Sequence, residues 1–320
     1  MMASLLIGLT RMKNSLADPS AHMQAKAAPK AFKGVLLAAS GLLFFACMDT
    51  TTKYLTAHFN VPFVVAMRYL VHCALMLIIL APRSPEKLIK TQRTGLVIVR
   101  AAMLTTASLF VGLALQRMPL AEATAINFLA PTLVALFATF VLGEEIGGLG
   151  WIAVVAGFGG VLLIARPSSG LDVYGVVFAL LAACAGAAYQ LLSRVLSSTE
   201  KAVTMLFYTA LVGSIVFGIA LPWFWENKVP SYLELALFFS MGLAGGLGHF
   251  LFTLAFRYAP ASVLAPVTYL QLLWAGLLGW LIFDATPDAL SVLGMVIIAG
   301  AGLLIALKSH FGKPASPKAH

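Results

Sequence analysis

Asp49, Arg68, His72, Arg100 and His249 are ionisable side chains set inside long apolar stretches of the chain. Where such stretches cross a bilayer, a charge near the centre costs at least about 2.5–3.5 kcal/mol, so each of these residues is a candidate for binding or gating. Asp49 and Arg68 carry opposite charges about six residues from the outer ends of consecutive stretches, at a depth of about 10 Å. They can form an ion pair, either as part of an outer gate or as a fixed fastening. Lys53 lies one turn from Asp49 on the same helical face, with a stem long enough to reach the interface. His72, one turn from Arg68, and His249, in Gly245-Gly-Leu-Gly-His249, are the side chains suited to relaying a proton. Each could equally be a hydrogen-bonded packing residue. Arg100 lies close enough to the cytoplasmic side to snorkel toward water or to hold an anionic group.

Uncharged polar groups extend the set. Asn127 precedes Pro131, while Tyr269, Gln271 and Trp274 follow Pro266, and a proline inside a helix frees backbone carbonyls beside polar side chains. Tyr189 and Gln190 sit in another apolar stretch and are expected to face the same cavity. Together these residues suit a zwitterionic or polar solute with some planar or apolar surface. Gly242-Leu-Ala-Gly-Gly246 and Gly157-Phe-Gly-Gly160 read as close helix packing, because neither follows a strand as a phosphate-binding loop must. The six histidines and three cysteines lack metal-ligand spacing, so no metal and no cofactor is expected, with proton coupling the one addition. Cys47, Cys73 and Cys184 read as small buried apolar residues.

The elements that position these groups follow from composition. Of 320 residues 61% are apolar and 10% charged, and the mean hydropathy is +0.95, far outside the range of soluble domains. Soluble dehydrogenases, kinases and hydrolases are excluded. Apolar blocks at 34–55, 62–82, 94–116, 120–142, 149–165, 173–195, 203–223, 232–256, 261–283 and 289–307 predict an all-α membrane protein with ten transmembrane helices, the fifth slightly short. The connections are too short for extramembrane domains. With the N-terminus inside, 15 of the 21 Lys and Arg fall on the cytoplasmic side and four outside, Arg68 and Arg100 remaining within spans. That bias places both termini in the cytoplasm and accounts for the net charge of +9 without nucleic-acid binding.

The chain also overlies itself when shifted by 141 positions. Gly34 falls on Gly175, Lys53 on Arg194, Pro119 on Pro260, Leu129 on Leu270, and Leu162-Leu163-Ile164 on Leu303-Leu304-Ile305, without a gap. Five spans per copy is an odd number, so the copies enter from opposite sides as two inverted five-helix repeats. The expected organisation is a cytoplasmic tail at 1–32, repeats at 33–166 and 172–308, and a second tail at 309–320. Such a repeat suits a transporter working by alternating access as a monomer or homodimer. An intramembrane enzyme would need a clustered nucleophile and base, which the scattered ionisable groups do not supply, and a scaffold has no use for the symmetry.

The stretch Leu113-Ala-Leu-Gln-Arg-Met-Pro-Leu-Ala-Glu-Ala-Thr-Ala-Ile-Asn-Phe-Leu-Ala-Pro131, with Leu142-Gly-Glu-Glu145 and Trp151 to Arg166, resembles the EamA domain of the drug/metabolite transporter superfamily. The resemblance extends over residues 34–307. Met48-Asp-Thr-Thr-Thr-Lys-Tyr-Leu55 and Met67-Arg-Tyr-Leu-Val-His72 are similar to a subgroup that includes riboflavin and S-adenosylmethionine carriers and exporters of opine metallophores. The second half departs at Phe283-Asp284-Ala285, where the first half has its Leu-Gly-Glu turn. The resemblance implies an inner-membrane carrier of small organic metabolites, with family members working in either direction. Export of an amino-acid-like or metallophore-like compound is the leading expectation, and uptake of riboflavin or S-adenosylmethionine the alternative.

Overall fold

The computed structural model describes residues 19–80, 82, 85–142, 147–166, 169–197, 199–255, 257–259, 264 and 267–311. These residues form helices α1 (Pro19–Thr56), α2 (Val61–Leu80), α3 (Pro85–Ile89), α4 (Thr94–Arg117), α5 (Leu120–Asn127) and α6 (Ala130–Leu142) in the first half. The second half continues from α7 (Gly147–Ile164) through α8 (Val173–Leu196), α9 (Ala202–Phe224), α10 (Tyr232–Ala255), α11 (Leu270–Phe283) and α12 (Ala289–Phe311). Glu144 and Glu145 of the Leu-Gly-Glu turn lie outside the described residues, as does Pro266.

Six helices are long and apolar enough to cross a membrane, and four more, at Leu120–Val134, Gly148–Ile164, Leu270–Phe283 and Ala289–Leu304, are apolar but shorter. Among the described residues these ten stretches follow the ten apolar blocks in order. The fourth block is interrupted by a turn at Phe128 and Leu129, and in the ninth residues 264, 267 and 268 are helical ahead of the turn at Tyr269 and α11. α1 already starts at Pro19, inside the segment expected as a cytoplasmic tail. Proline is preformed for the first helical position, and the Ala, Lys and Gln that follow are strong helix formers.

Helix ends use local chemistry. Asp172 caps α8 by accepting from the backbone N–H of Tyr174 at 2.8 Å. Ser231 and Glu234 form a capping box before α10, the Ser231 N–H donating to Glu234 Oε2 at 2.7 Å. Asp284 closes α11 in the left-handed region at φ 52°, which ends the helix in place of a glycine.

The broadest contacts pair α1 with α10, α4 with α8, and α7 with α12. The shift that superposes the sequence on itself carries α1 onto α8 and α4 onto α10, so the first two pairs exchange with each other. In the third pair, Gly160 and Gly294 bring the backbones so close that a Cβ on either would collide with the other's carbonyl oxygen. Outward faces are apolar, with Leu162, Val155 and Trp223 among many large exposed side chains, as lipid contact requires. Cys47 and Cys184 lie on exposed faces and only Cys73 is buried, which corrects the reading of all three as buried.

Candidate functional site

Pro131 has no N–H to offer the carbonyl of Asn127, so α5 stops at Asn127 and the chain turns through Phe128 and Leu129 before α6 begins. A matching turn at Tyr269 precedes α11, and Tyr269 is the repeat equivalent of Phe128. The two break residues touch, their rings 5.5 Å apart. The Tyr269 hydroxyl points at Gly302, where any side chain would strike it. Beside the first break lies a cavity of about 20 Å³ lined by Asp49, Leu115, Thr124, Asn127 and Ala182, among others. It has room for about one water molecule, against roughly 300 Å³ or more for a pocket that encloses a small organic ligand.

Asp49 accepts a hydrogen bond from Gln271 Nε2 at 3.1 Å, which joins the two halves of the chain at the cavity. The expected ion pair between Asp49 and Arg68 is corrected. Arg68 acts on Asp49 only through space, while its guanidinium donates to Ser108 Oγ, touches Met48 Sδ at 3.9 Å and stacks on Tyr69 at 4.7 Å. Ser108 is also hydrogen-bonded to the Tyr69 hydroxyl at 2.8 Å.

Arg100 does not snorkel to water and meets no anion among the described residues. It is 4% exposed and its guanidinium is spread over neutral oxygens of α8 and α9. Nε donates to Ser193 Oγ at 2.7 Å, Nη1 to the Met205 carbonyl at 3.1 Å and Thr209 Oγ1 at 3.2 Å, and Nη2 to the Tyr189 hydroxyl at 2.8 Å. Gln190, expected in the same cavity as Asp49, is exposed instead, because it sits one residue round α8 from the inward-facing Tyr189.

The histidines approach each other across α2 and α10. His72 lies against Gly246 of α10, and the His249 ring packs edge-on against Phe45 at 4.8 Å. Neither imidazole makes a hydrogen bond among the described residues. Trp274 follows Gln271 by one helical turn and its indole Nε1 is buried without a partner among the described residues, a donor of the kind a solute can satisfy.

Sequence reading missed Glu122, Ser108 and Glu200. Glu122, 5% exposed at the start of α5, has one carboxylate oxygen without a partner and feels the charge of Lys53. A carboxylate two residues into an apolar block, at the height of a lysine in another, was the available signal. Lys53 does not snorkel outward. Its ammonium donates to the Leu115 and Met118 carbonyls at 2.8 and 2.6 Å, capping the end of α4. Glu200 caps the other end of α4, its Oε1 accepting from the Gln92 and Arg93 N–H groups at 2.9 and 2.8 Å. In the loops, Asp172 is bonded to Arg117 at 2.9 Å and Asp288 to Arg166. The carboxyl of Asp172 is held below its ordinary range chiefly by the Arg117 hydrogen bond, and that of Asp288 chiefly by the Ser291 N–H with help from Arg166.

A multi-pass helical membrane protein whose two halves meet at interrupted helices around a small polar cavity is, in general class, a transporter. The EamA-like transporter family matches the chain twice, over residues 32–166 and 173–307, and the chain belongs to that family. The two matches begin at residues 32 and 173, the same offset that superposes the sequence on itself. An S-adenosylmethionine uptake transporter of Rickettsia bellii is 29% identical over 257 residues, 80% of this chain and 87% of that protein. A pseudopaline exporter of Pseudomonas aeruginosa is 30% identical over 273 residues, 84% of this chain and 94% of that protein. A riboflavin transporter of Rhizobium johnstonii is 31% identical over 192 residues, 60% and 63% of the two chains. One crystal structure, at 18% identity and a TM-score of 0.59 over 89% of this chain and 98% of that one, shares the fold.

Proposed function

We propose that the protein is a secondary transporter that exports a small polar or zwitterionic metabolite, amino-acid-like or metallophore-like, across the inner membrane by alternating access. In this reading α5 with α6 forms one crossing and the segment leading into α11 another, so that ten crossings form two inverted five-helix repeats with both termini in the cytoplasm. The exchange of α1–α10 with α4–α8 under the repeat shift supports it, as does the self-contact of the break residues Phe128 and Tyr269. The observation that carries the reading is the hydrogen bond from Gln271 to Asp49 at a cavity also lined by Asn127. A polar contact between the halves, beside carbonyls freed by a helix break, suits a site that opens alternately to either side. Arg68, Tyr269 and Trp274, outside the cavity's present lining, would meet the solute once the site opens, while His72 and His249 are the groups through which a proton gradient would drive it.

A strain lacking the protein should accumulate an amino-acid-like compound inside the cell, read by comparing intracellular and external metabolites. Everted vesicles with and without a pH gradient should show gradient-dependent uptake of that compound, and replacing His72 or His249 by Gln should remove the gradient's effect while exchange persists.

A second reading, uptake of a vitamin or nucleoside-like cofactor, is favoured by the names of two relatives, an S-adenosylmethionine uptake transporter and a riboflavin transporter. An inverted repeat is indifferent to direction. A deletion strain that needs an external vitamin at raised concentration, and accumulates nothing, would establish this reading instead.

A further inference from the structure

We propose that Arg100, with the hydroxyls of Tyr189, Ser193 and Thr209, is a carboxylate-binding subsite loaded from the cytoplasmic end of α8, so that the transported solute carries a carboxylate. The proposal rests on the export reading and narrows its substrate class. The first support is charge. Arg100 is 4% exposed, and every group it bonds is neutral, with no salt-bridge partner among the described residues. A buried cation spread over hydroxyls and a carbonyl is solvated but not neutralised, and a planar guanidinium is built for bidentate contact with a carboxylate.

The second support is that packing does not demand the charge. The repeat equivalent of Arg100 is Met241, and those of Tyr189, Ser193, Met205 and Thr209 are Met48, Thr52, Val64 and Arg68. Met241 accepts from Thr52 Oγ1 at 3.2 Å and packs in one cluster with Val64, with Met48 against it. The same niche is therefore filled at the other end of the molecule by a thioether.

The route lies on α8. Tyr189 and Ser193 are half-buried on the bundle side, while Gln190, Arg194 and Ser197 follow the adjoining face that runs to the end of that helix. An arriving carboxylate would take over the Nε and Nη2 donors now used by Ser193 and Tyr189, and the Tyr189 hydroxyl, which still carries its own proton, would donate to it.

The test uses the purified full-length chain in detergent and reads thermal stabilisation against two matched pairs of probes, S-adenosylmethionine with its decarboxylated form and L-histidine with histamine, and against riboflavin. At least one carboxylate-bearing member should stabilise the protein at a concentration 10-fold or more below its partner. Arg100→Gln should abolish that preference, Arg100→Lys should retain part of it, and Tyr189→Phe, which keeps the ring and so the packing, should weaken the carboxylate member alone by a few-fold. A preference that survives undiminished in Arg100→Gln, or in Tyr189→Phe if the first variant does not fold, overturns the subsite and leaves export of an amino-acid-like solute standing. Stabilisation by riboflavin and by none of the pairs overturns both.

Discussion

The Arg100 and Met241 regions occupy equivalent places in the two halves and are built from opposite chemistry. Around Arg100, α4, α8 and α9 are held by four hydrogen bonds from one guanidinium, and Glu200 ties the start of α4 to the loop between α8 and α9. Around Met241, α1, α2 and α10 are held by packing. Phe59, the repeat equivalent of Glu200, stacks with Phe63 at 5.5 Å, and Phe238 meets Phe59 at 5.4 Å and Phe63 at 5.5 Å. Directional bonds to a cation can be broken by a competing polar solute, whereas an apolar seal has no group for such a solute to compete for. One fold thus presents one region held by polar bonds to a cation and an equivalent region held by apolar contact.

Exchanging the chemistry of the two ends tests this most severely. Met241→Arg places a second guanidinium in the apolar cluster of Phe59, Phe63 and Val64, and should destabilise the protein by about 3–5 kcal/mol. An unchanged melting temperature in detergent would mean that the Met241 end is hydrated, and the contrast would fail. Phe59→Ala should remove about 3 kcal/mol by opening the aromatic cluster, seen as a lower melting temperature and as hydrogen exchange in the adjoining ends of α1 and α10. At the polar end, Glu200→Gln keeps one acceptor but loses its charge at the start of α4. The expected loss is about 1 kcal/mol, with exchange confined to the first turn of α4.

The smallest effect concerns the loop carboxylates. Asp172 and Asp288 are held below their ordinary value near 3.8 in the folded protein. Their contribution is complete above that value and is lost as pH falls through the lower folded one. Melting temperature should therefore be insensitive to these groups between pH 7 and 5 and decline below about pH 4. Arg117→Gln should reduce that decline slightly, and a variant with the same acid limb as the parent would show that the Arg117 bond contributes nothing.

Helices, their order and the register between the two halves were legible because apolar runs and turn residues are local signals. The interruption at Asn127 was legible for the same reason, since Pro131 acts on the carbonyl four residues before it. What could not be read was the angular position of each side chain once helices distant in sequence had packed. Asp49 and Arg68 match in depth, yet Gln271 lies 222 positions from Asp49 and takes its hydrogen bond. Gln190 and Tyr189 are neighbours in the chain but about 100° apart around the helix axis, so one is exposed while the other meets Arg100. Lys53 reads from sequence as bound for the interface because its actual partners, the carbonyls ending α4, are backbone atoms that no sequence pattern displays.

The contact between Phe128 and Tyr269 joins two positions that the 141-residue shift makes equivalent. Under the proposed inversion these are one position counted twice, so the contact would lie on the axis that relates the halves. The two members differ, and so do their surroundings. The hydroxyl that distinguishes Tyr269 from Phe128 points at Gly302, where no side chain fits, while the equivalent of Gly302 in the first half, facing a ring without a hydroxyl, is Val161. One oxygen more and one side chain less form a matched pair of differences, and they give the two sides of an otherwise equivalent contact a distinguishable front and back.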